Sequence, residues 1–122
     1  MSRLTGDLKE RTLAFAGMVL EAIRSLPNDT RGWVIGKQVV RAATSVGANV
    51  WEADVSQSDA DFAHKMSIAR KEANETQYWL ALIHRSKFLP QEVWSPLAAE
   101  AEELVSILSV VVRKTQEHIH RG

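Results

Sequence analysis

Apolar residues recur along this chain at alternating four- and three-residue steps, the spacing that lays them along one side of a helix. Leu8, Thr12, Phe15, Val19, Ile23 and Leu26 form the first seam and predict a helix over about 7–26. Asp7 is its expected cap, and Leu26-Pro27-Asn28-Asp29 its stop. Ile35, Val39, Ala42, Val46, Asn49 and Ala53 mark a second helix over about 33–54. Ser58 and Asp61 form a Ser-x-x-acid cap, and Phe62, Met66, Ala69, Ala73, Thr76, Leu80 and Ile83 carry a third helix over about 58–87. A fourth, over about 91–118, follows Pro90, with Ser95-Pro96 as an alternative start. Its seam is Leu97, Ala101, Leu104, Leu108, Val111, Thr115 and His118, and the tail after Arg113 is expected to fray.

No segment alternates at period two with strand composition, so no sheet is expected. Short connections between long helices predict an antiparallel up-down-up-down four-helix bundle. The heptad steps imply shallow left-handed crossing. Residues 1–122 read as a single domain.

The second seam is unusual, because Asn49 points inward where a plain core would carry leucine, flanked one turn away by Ser45 and Glu52. Burying such groups unpartnered costs about 1–3 kcal/mol each, so a specific polar partner is expected. The expected solution is a network in which Glu52, Glu72 and Glu75 accept from Arg41, Ser45 and Asn49, with Tyr78 as a further donor. It would set the register between the second and third helices. Gly36 and Gly47 each cost about 1 kcal/mol inside a helix. Gly47 sits among Ala42, Ala43, Ser45 and Ala48, which suggests close approach of a neighbouring helix.

Composition changes this picture little. The chain has 122 residues, 45% hydrophobic and 25% charged, and no cysteine, so disulfides and thiolate metal sites are excluded. No signal peptide and no membrane span is legible, and a cytoplasmic protein is expected. Fifteen basic and fifteen acidic residues cancel, unlike the basic balance usual in nucleic-acid binders.

Several chemistries can be weighed. A di-metal site in a bundle needs inward carboxylates with Glu-x-x-His partners, and Glu72 with Glu75 lacks one, so no metal or other cofactor is expected. Thr44 and Ser45 have no histidine at a useful helical offset to activate them. Gly32-Trp-Val-Ile-Gly36 has neither the lysine nor the spacing of a phosphate loop. Lys37, Lys65, Arg70 and Lys71 are candidate nucleic-acid contacts, modest in one chain but additive in an assembly. Four tryptophans are many for this length; Trp79 is expected in the core, while Trp33, Trp51 and Trp94, near helix ends, are candidate oligomer contacts.

Leu26-Pro27, then Arg41-Ala-Ala-Thr-Ser-Val-Gly-Ala-Asn-Val-Trp-Glu52, Ser58, Asp61-Phe62 and the run from Ile68 to Leu80 resemble one bacterial family over nearly the whole chain. It is the four-helix-bundle family of proteins encoded in intervening sequences of 23S ribosomal RNA genes, which includes the accessory variability determinants of diversity-generating retroelements. The resemblance implies a homo-oligomeric ring, typically a pentamer. For the retroelement members it further implies contact with RNA or DNA and with a reverse transcriptase. This chain departs in its neutral charge and in Ala53, where glycine commonly follows the family's glutamate, so a different turn is expected there. The resulting expectation is a non-enzymatic oligomeric accessory or scaffold protein. The alternatives are a purely structural homo-oligomer with an unidentified protein partner and a carboxylate metal enzyme.

Overall fold

The computed structural model describes residues 2–4 and 6–121. They form four α-helices and, among the described residues, no strand: α1 (Leu8–Ala22), α2 (Thr30–Asp54), α3 (Asp59–Arg85) and α4 (Gln91–Arg121). Each helix packs on two neighbours, α1 and α3 both lying against α2 and α4, so the four make a closed helical bundle. One core runs through it, with Phe15 and Val19 of α1, Val39, Val46 and Val50 of α2, Met66 and Ile83 of α3, and Leu104 and Leu108 of α4 all buried.

The helix boundaries differ from the expected ones for local reasons. Helix α1 stops at Ala22 and tightens into a 3-10 turn, Ile23–Ser25, before Leu26 turns extended (φ −70°, ψ 156°) ahead of Pro27. Asp7 occupies the cap position without a side-chain bond to the helix. Helix α2 starts three residues earlier than expected, because the Asp29 carboxylate accepts from the Arg31 and Gly32 amides. The Ser58 hydroxyl accepts from the Asp61 amide at 3.0 Å, as its spacing predicts. Helix α4 runs through Pro96 and continues to Arg121, so the tail expected to fray is helical. Its buried face passes from Leu108 to Val112 rather than Val111. A 3.6-residue turn drifts ahead of a strict heptad, and the extra four-residue step follows that drift.

Two close approaches shape the α1–α2 half. A Cβ on Gly32 would stand 1.7 Å from the Pro27 carbonyl oxygen, so the turn entering α2 lies directly on that glycine. A Cβ on Gly47 would stand 3.2 Å from the Thr12 hydroxyl, the close crossing expected there. On the other side of α1, Arg11 forks onto Glu100 of α4 at 2.8 and 2.9 Å and reaches Glu103 at 2.9 Å. That fork ties the first helix to the last.

Candidate functional site

The expected polar network divides into separate pieces. Arg41 bridges to Glu72 at 3.1 Å and also to Glu75, whose carboxylate further accepts from the Trp79 indole at 2.9 Å. This cluster joins α2 to α3, but on the surface rather than in the interior, with Arg41 47% exposed. Glu52 stands apart and meets Lys65 at 3.6 Å. Half-buried Asn49 donates to the Ser45 carbonyl of its own helix at 2.8 Å and reaches no acid. A side-chain amide can share the helix carbonyl four residues back through that oxygen's second lone pair, which removes the need for a partner across the helix pair. Tyr78 is exposed, with its ring edge against Trp79, which is half-buried rather than central to the core.

Among the described residues no three of His, Asp and Glu gather as metal ligands. The Glu-x-x-His spacing that does occur, Glu117 with His120, lies on the exposed end of α4, where Glu117 is 3.9 Å from Arg113.

A second polar centre lay outside the sequence reading. Asp54, 2% exposed at the end of α2, accepts from the Ser2 hydroxyl at 2.6 Å and from the Arg3 and Leu4 amides at 2.9 and 2.6 Å. The Lys9 ammonium reaches its other oxygen at 3.2 Å. The Ser2 hydroxyl and the Leu4 amide, with Lys9 beside them, hold the Asp54 carboxyl well below the usual carboxylate range despite its burial. Arg3 continues the strap to the Ser56 carbonyl and to Asp59, and His118 of α4 stands 3.5 Å from Asp59.

The three candidate tryptophans differ in what they do. Trp94 is committed within the chain, its indole donating to the Leu80 carbonyl at 2.7 Å and its ring stacked on His84 at 4.0 Å. Trp33 is 61% exposed, donating to Asn28. Trp51 lies under the Lys9 ammonium at 4.4 Å and forms one end of an open apolar groove of about 700 Å3 between α1 and α2. Leu13, Ala16, Gly17 and Leu20 make the α1 wall of that groove, with Leu13 52% and Leu20 50% exposed. Leu13 and Leu20 sit one heptad apart outside the buried seam, a signal present in the sequence and overshadowed by it.

The basic candidates also separate. Lys37 lies beside Pro27 and Trp33 on the α1–α2 side. Lys65 is held by Glu52. Only Arg70 and Lys71 come together, in a groove of about 550 Å3 between α3 and α4.

Residues 7–110 match the family model for the 23S rRNA-intervening sequence protein. The chain belongs to that family. Among solved structures, this 23S rRNA-intervening sequence family member is similar to a protein of unknown function from the S23 ribosomal protein family of Bacteroides thetaiotaomicron, known from a 1.70 Å crystal structure. The two share 38% identity and a TM-score of 0.79, over 85% of this chain and 96% of that one. No curated protein matches the chain. No helix among the described residues is long and apolar enough to cross a membrane.

Proposed function

We propose that this family member is a non-enzymatic accessory or scaffold protein that works as a homo-oligomer, joined through the α1–α2 groove. The observation that carries the reading is the exposed apolar stripe of Leu13, Gly17 and Leu20 beside Trp51. A contiguous apolar patch on a small chain marks a contact surface, and tryptophan is favoured at the centre of such contacts. Family resemblance supplies the assembly, a cytoplasmic ring of five protomers, and its targets, RNA or DNA and a reverse transcriptase. In this reading the chain is one domain whose helices run up-down-up-down, as its short connections favour, with the left-handed crossing that heptad seams favour.

Light scattering on the eluting protein tests it. The wild-type chain is expected at a multiple of its 13.6 kDa protomer mass, fivefold for the ring. Leu13→Glu with Leu20→Glu, which alters only exposed positions, is expected to elute as a folded protomer with unchanged helical circular dichroism. Wild-type protein running as a protomer at every concentration would sink the assembly. Capture of nucleic acid that weakens steeply with salt supports the second half of the reading, and no binding at low salt removes it.

A further inference from the structure

The α3–α4 groove lies on the side of the bundle opposite the α1–α2 face, because α1 and α3 each pack on both α2 and α4. Its chemistry is also opposite. His64, Ser67, Lys71 and Asn74 follow one another down α3 at steps of three, four and three, with Arg70 beside them and Ser109 facing from α4. Lysine, arginine, hydroxyl and amide groups thus converge on one stripe, and no carboxylate lines it.

The hydroxyls of Thr44, Thr76 and Thr115 are turned back onto their own helix carbonyls. Among the described residues, Ser67, Asn74 and Ser109 make no such bond. Arg3, Lys9, Arg11, Arg24, Arg31, Arg41, Lys65 and Arg113 each pair with a carboxylate. Arg70 and Lys71 do not, among the described residues, and neither do Lys37, Arg85, Lys87 and Lys114; what marks the pair is adjacency in one groove, with the nearby acids Glu72 and Glu75 turned to Arg41 on the other flank of α3. Two adjacent cations and several polar side chains thus line one open groove that no acid enters.

We propose that this groove is a phosphate site, taking a phosphate oxyanion between the Arg70 guanidinium and the Lys71 ammonium, with Ser67, Asn74 and Ser109 as polar lining on either side of it. A guanidinium fork matches two phosphate oxygens, and an ammonium adds a point charge. At about 550 Å3 the groove is large enough for a phosphorylated small molecule, and it is open to solvent, so a short stretch of single-stranded backbone can enter it. The inference deepens the nucleic-acid part of the proposed function by naming its surface, and it does not depend on self-assembly.

Two probes distinguish the sources of the phosphate: inorganic pyrophosphate, followed by calorimetry, and a fluorescent single-stranded RNA oligonucleotide, followed by anisotropy. Arg70→Gln with Lys71→Gln is expected to weaken whichever probe binds by about tenfold or more, and to flatten the RNA salt slope by about 0.7, the contribution of the one phosphate the pair holds on a single strand. Lys37→Gln, on the other side, is expected to leave affinity within about twofold. Amide shifts on titrating the wild-type chain with pyrophosphate should centre on residues 64–74 and 105–109, a readout that survives if the double variant fails to fold. Pyrophosphate binding without RNA binding keeps the groove and removes the nucleic-acid target. RNA binding that the double variant leaves intact, or shifts confined to other residues, overturns the groove and leaves that target standing. No binding of either probe overturns both.

Discussion

Gly32 is held by geometry rather than by conformation, since its helical backbone would accept any residue and the Pro27 backbone would not. Gly32→Ala must displace a turn fixed on both sides, by the extended Leu26 before it and the Asp29 cap after it. A loss of about 1–3 kcal/mol in urea unfolding is expected, typical of overpacking. Gly47→Ala meets only the Thr12 hydroxyl region at 3.2 Å and gains about 1 kcal/mol of helix propensity, so its change should be much smaller. Equal effects at the two positions would remove the steric account. The sequence pointed to Gly47 through its small neighbours, but it placed Gly32 in a loop, where nothing shows what a Cβ would strike. Asn49 was misjudged at the same scale. Its place on the seam was correctly read, yet the bond to its own helix that satisfies it depends on a side-chain rotation that spacing does not reveal.

Among the elements, the end of α3 carries the clearest correctable tension. Lys87 takes φ 58°, the left-handed conformation that closes a helix, with its amide on the His84 carbonyl and the Phe88 amide on that of Ile83. Glycine adopts that conformation freely, whereas lysine does not. Lys87→Gly is therefore expected to stabilise the chain by about 0.5–1 kcal/mol, read as a rise in the thermal midpoint. A fall would mean that the lysine side chain contributes more than its backbone costs. All four helices were legible from seam spacing, since Met66, Ala69, Ala73, Thr76, Leu80 and Ile83 are buried as their periodicity requires. Their limits were less legible. The second helix was expected to open near residue 33, and only the structure shows Asp29, read as part of the preceding stop, capping a first turn that already includes Thr30.

Across the whole molecule, Asp54 secures the segment before α1 to the end of α2. Its carboxyl lies below its ordinary value of 3.8, so between that value and its depressed folded-state value the folded chain binds fewer protons than the unfolded one. The stabilisation is complete above about pH 5 and is lost as pH falls further, through the ordinary value and toward the depressed one. The gap in thermal midpoint between the wild-type chain and Asp54→Asn should be constant from neutral pH down to about 5, then narrow under acid. A gap that does not change with pH would show that the carboxylate charge is not what holds the strap. Sequence reading could not find this centre, because Asp54 and Leu4 are 50 residues apart and neither stands out from its neighbours. The same limit left Arg70 and Lys71, singled out by sequence, without the far wall of their groove, Val105 and Ser109 on another helix.

Asp59 receives Arg3 from one end of the chain and His118 from the other. The segment ahead of α1 and the last turns of α4 thus share one pole of the bundle, over the start of α3, so a pair of fluorescent labels placed near Arg3 and His118 would report on the opening of that pole as a unit.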